Sequence, residues 1–166
     1  MFLHQEFGKT TIVRDLVRRI SNGIDKLKFK GITVGLVDER GEIAATYKGI
    51  AQNDVGIRTD VLNNIPKAIG MRMLIRSMSP KVIVADEIGN EEEIDAINYA
   101  LCSGIKGIFT AHGDSLEEIC INPTLKNLLS VHVFERIVFL SDKKRKAEIK
   151  CVYTLNKKTS EYVIME

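Results

Sequence analysis

The chain has 166 residues, of which 45% are hydrophobic, and a net charge of +2 from 24 basic and 22 acidic residues. This composition is typical of one globular domain and excludes disordered, collagen-like and low-complexity chains. The sequence contains neither an apolar run long enough to span a membrane nor a signal peptide at its N-terminus. Three separated cysteines without a disulfide pattern fit a reducing cytosol, so we expect a single cytoplasmic domain over 1–166.

Apolar residues recur at helical spacing from Ile12 to Ile20 and predict an amphipathic helix that ends at Asn22-Gly23. The elements predicted next are a strand over 32–37, a mainly irregular segment with at most a short structured piece over 41–64, a helix over 66–78 and a strand over 82–85.

The second half continues the alternation of helices and strands. Its predicted elements are a helix from Asn90 to Ser103-Gly104, a strand over 107–110, helices from Ser115 and over 123–130, and strands over 133–140, 147–155 and 161–165. Strands that alternate with helices indicate an α/β fold with a mostly parallel sheet. The last two strands predict an antiparallel hairpin at one edge.

The tetrapeptide Gly8-Lys9-Thr10-Thr11 stands directly before the first predicted helix. It matches the second half of the phosphate-binding loop G-x-x-x-x-G-K-[ST]. In such a loop, backbone N–H groups and the lysine bind phosphate, and the first threonine binds Mg²⁺. Leu3 stands where the first glycine is expected, so this motif alone fits an ordinary helix start equally well.

Two carboxylates, Asp86 and Glu87, follow the predicted strand over 82–85. Parallel sheets bind ligands where their strands end, so Asp86 is placed to hold Mg²⁺ and Glu87 to activate a water. An acidic entry to the next helix is the alternative interpretation. The upstream Lys9 favours the first interpretation, a nucleoside triphosphatase site.

Further polar residues follow other predicted strands, namely Asp38-Glu39-Arg40 after the first and His112 after the strand over 107–110. We expect them at the same edge of the sheet, where His112 would sense the γ-phosphate or position a water. A lone histidine after a strand is also compatible with a structural, hydrogen-bonded role.

Arg58 and Arg76 are candidates for arginine fingers that act across a subunit boundary. The basic run Lys143–Lys146 indicates a solvated turn rather than a site for an acidic partner or nucleic acid, because no aromatic residues are interleaved with it. His4 and His132 have no partners at metal-ligand spacing, so no zinc site is predicted.

Four segments resemble, in order, the stage III sporulation protein AA family: GITVGLVDERGEIAA, DVGIRTDVL, KAIGMRMLIRSMSPKVIVADEIGNEEEIDAINYAL and GIFTAHGDSLEEI. The resemblance covers nearly the whole chain, from Gly8 to about Leu155. This family comprises proteins of endospore-forming bacteria that are regarded as ATPases. It belongs to the secretion ATPase superfamily, which drives type II and type IV pilus-like machines.

The resemblance implies a RecA-like P-loop fold, a hexameric ring, and ATP and Mg²⁺ as ligands. The implied residues are Gly8, Lys9, Thr10 and Thr11 for nucleotide, Thr10 and Asp86 for Mg²⁺, Glu87, Glu39 and His112 for catalysis, and Arg40, Arg58 and Arg76 as arginine fingers. The implied partners are copies of the chain and membrane-embedded sporulation channel proteins. The protein would be the cytoplasmic motor of a channel between mother cell and forespore, without inserting into the membrane.

Relative to the family, an N-terminal domain, the strand before the P-loop and the start of that loop are missing. We therefore expect a truncated domain, and two alternatives to an active motor follow. One is a catalytically inactive assembly or docking module with a damaged phosphate loop. The other is a RecA-like nucleic-acid motor, which the balanced charge disfavours.

Overall fold

The computed structural model describes residues 8–141 and 148–165, so the basic run Lys143–Lys146 and the segment with Leu3 and His4 lie outside the described residues. Within these ranges, no helix has the length and apolar composition needed to cross a lipid bilayer. The elements in chain order are α1 (Lys9–Asn22), β1 (Val34–Asp38), β2 (Thr59–Asn63), α2 (Lys67–Met78), β3 (Val82–Ala85), α3 (Glu91–Cys102), β4 (Lys106–Phe109), α4 (Leu116–Ile119), α5 (Pro123–Ser130), β5 (Arg136–Leu140), β6 (Ile149–Asn156) and β7 (Glu161–Ile164).

Helix α1 forms where the apolar spacing predicted it, and its buried residues Val13 and Val17 lie one turn apart. Gly8 precedes the helix with a φ of 110° and Gly23 ends it with a φ of 98°, positive values that favour glycine. A Cβ atom on Gly23 would lie 2.5 Å from the carbonyl oxygen of Phe29. The sequence therefore predicted the C-terminal end of this helix correctly, whereas the helix begins at Lys9, inside the tetrapeptide that was expected to precede it.

Strands β1 to β4 form a parallel sheet in the order β2-β1-β3-β4, which confirms the predicted α/β fold. All four strands end at the same edge of this sheet, which we call the carboxyl edge. Asp38 is the last residue of β1, Asp86 follows β3 and Thr110 follows β4. Open parallel sheets bind their ligands at this edge.

Strand β2 is the structured part of a segment whose composition indicates mainly loop. It is one of the two outer strands of the sheet, and its five residues are all half-buried. An outer strand has one strand neighbour and one solvated side, so polar residues such as Thr59, Asp60 and Asn63 are tolerated there. The apolar run that identifies a central strand is therefore missing.

Strands β5, β6 and β7 form a second, antiparallel sheet in that order. The sequence predicted three strands in this region with an antiparallel pairing of the last two, and the structure confirms both. The hairpin of β6 and β7 extends β5 rather than a strand of the parallel sheet. Periodicity shows which residues of a strand are buried but not which strand lies beside it.

The central strands β1 and β3 of the parallel sheet are buried on both faces. Along β3, Val82 and Val84 belong to the apolar cluster under α1, whereas Ile83 and Ala85 belong to the cluster shared with α2, α3 and α5. Burial on both faces explains why β3 is uniformly apolar in sequence. In these central strands, polar side chains are thereby confined to the strand ends, where the candidate site lies.

Candidate functional site

A small cavity lies at the carboxyl edge, between the start of α1 and the ends of β3 and β4. Its volume is about 20 Å³, which is room for one water molecule or one cation. We call it the site cavity, and it is lined by Lys9, Thr10, Val13, Glu42, Ile43, Asp86, Glu87 and Thr110. Four residues that the sequence predicted for nucleotide, Mg²⁺ and catalysis thus share one cavity, although α1 and the β3–α3 connection are far apart in the sequence.

The start of α1 supplies the predicted phosphate-binding residues. Gly8 stands at the N-cap, Lys9 is buried and Thr10 is half-buried against the cavity. The unsatisfied N–H groups and the positive end of the helix dipole make such a helix start attractive to anions. Thr11 is exposed, and the described residues that line the cavity do not include it.

Asp86 is a buried carboxylate in a charged neighbourhood, with only 9% of its surface exposed. Burial raises the pKa of Asp86 to about 6, and the neighbouring charges of Asp38 and Glu87 also raise it, while the ammonium of Lys67 opposes the rise. A carboxylate held in this way gains from a cation, because a nearby positive charge favours its ionised form.

Glu87 has a positive φ of 46°, which is uncommon for a residue other than glycine. Its side chain is engaged on both oxygens: Oε2 lies 2.7 Å from Nη1 of Arg40, and Oε1 lies 3.4 Å from Nε2 of His112. The structure therefore brings the predicted catalytic residues Glu87 and His112 together. Arg40, predicted as an arginine finger, pairs with Glu87 of its own chain.

Asp38 points inward and anchors the loop that follows β1. Its carboxylate is fully buried and accepts hydrogen bonds from the backbone N–H groups of Ile43, at 3.2 Å, and Ala44, at 2.8 Å. The loop carries Glu39, whose Oε2 lies 3.2 Å from Nζ of Lys67. Asp38 thus fixes the loop, while Glu39 joins a charged network beside Glu87.

Replacement of Asp38 by alanine is expected to lower the free energy of unfolding by about 2–3 kcal/mol, because buried N–H groups in the loop lose their acceptor. Urea denaturation of the ligand-free chain measures this loss. Asp60→Ala, on the neighbouring strand β2, is the matched control and should change stability by less than about 0.5 kcal/mol. Equal losses in the two variants would contradict the anchoring role.

Lys67 is a charged residue beside the site that the sequence did not predict, as it did not predict the cavity-lining Glu42. The ammonium of Lys67 contacts Glu39, the carbonyl of Glu87 and, at 3.2 Å, Oε1 of Glu93. The available signal was its position: a cation at the first residue of a helix is disfavoured by the helix dipole. A lysine directly after Pro66, at the start of an amphipathic helix, therefore suggests a nearby carboxylate partner.

The other two candidate arginine fingers lie away from the cavity within this chain. Arg58 donates from Nη1 to the carbonyl of Ser21 at 2.9 Å, near the end of α1 that is about 20 Å from Lys9. Arg76 is exposed in the last turn of α2. Their action across a subunit boundary stays a prediction.

The donor set fits Mg²⁺ in the manner of a nucleotide site. Among the described residues, no group of three or more histidine, cysteine, aspartate or glutamate side chains is arranged to hold a metal ion. Mg²⁺ in phosphoryl-transfer sites is held by one or two protein oxygens together with phosphate oxygens and water. The hydroxyl of Thr10 and the carboxylate of Asp86 face the same cavity and are suitable for that role.

Comparisons with known sequences agree with the resemblance. A sequence profile of the family described as "Sporulation stage III, protein AA" matches residues 4–160. Stage III sporulation protein AA of Bacillus subtilis is 44% identical over 146 residues, which make up 88% of this chain and 47% of that protein. Uncharacterized protein ycf45 of Porphyra purpurea is 31% identical over 122 residues, 74% of this chain and 21% of that protein. The chain thus spans less than half the length of these relatives.

The fold is similar to the X-ray structures of the ATPase DotB from Legionella pneumophila and Yersinia pseudotuberculosis, with TM-scores of 0.67 and 0.64. Each comparison covers 96% of this chain, and they cover 46% and 43% of the two DotB chains at 14% and 13% identity. At such low identity, the likeness shows the fold alone. The sequence profile, in contrast, extends over most of the chain, and the chain belongs to the stage III sporulation protein AA family.

Proposed function

We propose that this chain is the nucleotide-hydrolysing part of a sporulation ATPase, with Mg-ATP as its substrate. The observation that carries the proposal is the site cavity, which Lys9, Thr10, Asp86 and Glu87 line together. These residues supply a cation for phosphate, two oxygen ligands for Mg²⁺ and a carboxylate for water activation. The DotB-like fold and the family membership support the same class of activity.

Each residue has a distinct chemical task in this proposal. Lys9 and the N–H groups at the start of α1 bind the β- and γ-phosphates. Thr10 and Asp86 hold Mg²⁺, which would neutralise charge on the phosphates. Glu87 accepts a proton from the attacking water, and His112, beside Glu87, orients that water or the γ-phosphate.

The Arg40–Glu87 ion pair sets a condition on catalysis. Nη1 of Arg40 lies 2.7 Å from Oε2 of Glu87, the carboxylate that would accept a proton from the attacking water. Hydrolysis therefore requires this ion pair to rearrange. Arg40 is 60% exposed, so its guanidinium is free to swing away from Glu87 at little cost.

We further propose that the full-length protein works as a homo-oligomer, a hexameric ring by analogy with the secretion ATPase superfamily. It would act on the cytoplasmic side of the membrane and couple hydrolysis to assembly or transport through membrane-embedded sporulation channel proteins. Arg58 or Arg76 would then reach a neighbouring subunit's site. The relative from Bacillus subtilis, named for sporulation stage III, supports this setting.

Titration calorimetry of Mg-ATP with this chain tests the proposed site. Lys9→Ala is expected to weaken binding by about 10- to 100-fold, because charge-assisted hydrogen bonds to phosphate contribute about 1.5–3 kcal/mol. Lys26→Ala, on an exposed turn after α1, is the control and should leave binding unchanged. An unchanged dissociation constant in Lys9→Ala would overturn the assignment.

The Arg40–Glu87 ion pair also favours a second candidate function, a catalytically inactive assembly or docking module. In that case the Arg40–Glu87 pair is a permanent structural contact rather than a resting state. Absence of Mg-ATP binding in the same titration, together with retained self-association, would support this alternative. Salt-dependent binding to single-stranded nucleic acid would instead support the alternative function of a nucleic-acid motor.

A further inference from the structure

Lys67 joins three elements of the site through one ammonium group. Its Nζ lies 3.0 Å from the carbonyl oxygen of Glu87, 3.2 Å from Oε2 of Glu39 and 3.2 Å from Oε1 of Glu93. The side chain is only 10% exposed. A buried ammonium is costly unless it is paired, so these three contacts account for its presence at the start of α2.

The contact with Glu87 matters most, because Glu87 holds an uncommon backbone conformation. Its φ of 46° costs free energy unless neighbouring groups stabilise it. The N–H of Glu87 donates to Oγ1 of Thr110 at 2.7 Å, and its carbonyl accepts from Lys67. Both backbone polar groups are thus fixed, and the carboxylate is directed toward Arg40 and His112.

The second partner, Glu93, ties the same lysine to the start of α3. The Oε2 atom of Glu93 accepts from the backbone N–H groups of Gly89, at 2.7 Å, and Asn90, at 3.2 Å, in a capping box. Burial lowers the pKa of Lys67, but the carboxylates of Glu93 and Glu39 outweigh burial and raise the pKa above its ordinary value. Lys67 therefore stays charged at neutral pH.

We propose that Lys67 is a positioning residue that holds Glu87 in its left-handed conformation, with Glu39 beside it, and so directs the Glu87 carboxylate at the attacking water. This inference rests on the proposed ATPase function. The described residues that line the site cavity do not include Lys67, so it acts through Glu87 rather than on phosphate.

We call the contacts of Lys67 with Glu87, Glu39 and Glu93 the clamp. Hydrogen exchange in the ligand-free chain tests it directly. In Lys67→Met, the amides of Glu87 and Ile88 should exchange about tenfold faster or more, the factor by which one charge-assisted hydrogen bond shifts a local opening equilibrium. Amides in the middle of β1 should keep their protection. Unchanged exchange at Glu87 and Ile88 would overturn the proposal.

Kinetics provide the second measurement. Lys67→Met should lower kcat for ATP hydrolysis by about 10- to 100-fold, because a misplaced catalytic group costs about this much, while the dissociation constant for Mg-ATP stays within about threefold. Lys126→Met, on the exposed face of α5, is the matched control and should change neither value. Equal losses in binding and kcat would point to general damage and contradict positioning.

A double variant separates positioning from simple stability. Lys67→Met leaves Glu93 buried without its cation, and adding Glu93→Gln removes that charge while a capping box remains feasible. The double variant should unfold at the temperature of the unsubstituted chain, but the backbone amide of Glu87 should still exchange fast and kcat should stay low. If the double variant recovered both kcat and the slow hydrogen exchange of the Glu87 amide, the role of Lys67 would be merely structural, and the proposal would be overturned.

The two measurements also distinguish failure of this inference from failure of the proposed function. If Mg-ATP does not bind but exchange at Glu87 rises in Lys67→Met, the clamp stands and the ATPase assignment fails. If ATP is hydrolysed and Lys67→Met changes neither exchange nor kcat, the assignment stands and the clamp fails.

Discussion

Replacement of Glu87 by glutamine is expected to lower the turnover of ATP hydrolysis by about 10²- to 10⁴-fold, the usual contribution of a general base. The amide is nearly isosteric with the carboxylate and still offers an oxygen to Arg40, but it cannot accept a proton from water. Mg-ATP binding should be retained, because Lys9, Thr10 and Asp86 are unchanged. Phosphate release under single-turnover conditions measures the chemical step.

Glu92→Gln is the matched control for this substitution. Glu92 is an exposed carboxylate in the first turn of α3, five residues after Glu87, so its replacement removes the same charge without touching the cavity. It should leave turnover within about twofold. Turnover in Glu87→Gln equal to that of the unsubstituted chain would remove Glu87 from the role of base and leave positioning of the phosphates as the source of catalysis.

The convergence of Lys9, Asp86 and Glu87 was predictable because it follows from topology. Parallel strands place all their carboxyl ends at one edge, and a helix that covers such a sheet begins near that edge. Two patterns in the sequence therefore predict one shared site: an apolar strand that ends in two carboxylates, and a glycine and lysine at the start of a helix. The structure places these residues around one cavity.

The partners of each charge were not predictable in this way. Asp38 and Glu39 are neighbours in sequence, yet one is fully buried as a loop anchor and the other faces Lys67. Which carboxylate turns inward depends on the path of the following loop to Ala44, and no periodic pattern encodes that path. The left-handed conformation of Glu87 is likewise set by contacts with distant residues.

Asp86→Asn is expected to stabilise the ligand-free chain at pH 7.5 and to abolish Mg-dependent hydrolysis. Burial raises the pKa of Asp86 from 3.8 to about 6, so between these values the folded chain keeps a proton that the unfolded chain has lost. The free energy of unfolding therefore falls as pH rises from about 4 to about 6, and the deficit persists above pH 6. Asparagine has no charge to bury and removes this deficit.

The rise of the Asp86 pKa from 3.8 to about 6 sets an upper bound of about 3 kcal/mol, and partial solvation of the carboxylate reduces the expected gain to about 1–2 kcal/mol. Thermal unfolding at pH 7.5 and pH 4 measures this gain, of which only a small fraction should remain at the lower pH. Asp95→Asn, an exposed carboxylate on α3, is the control and should show no pH-dependent gain. A gain of equal size at both pH values would show that the charge of Asp86 is not its cause.

The same variant separates stability from function. In the unsubstituted chain, Mg-ATP should raise the unfolding temperature, because a ligand that binds only the folded state stabilises it. In Asp86→Asn, that rise should largely disappear and hydrolysis should fall by more than about 100-fold, since the metal contributes several kcal/mol to phosphoryl transfer. A buried carboxylate that destabilises the ligand-free chain, and whose charge a bound cation neutralises, is typical of a metal site. Replacement of a purely structural aspartate would instead lower the stability of the chain at every pH.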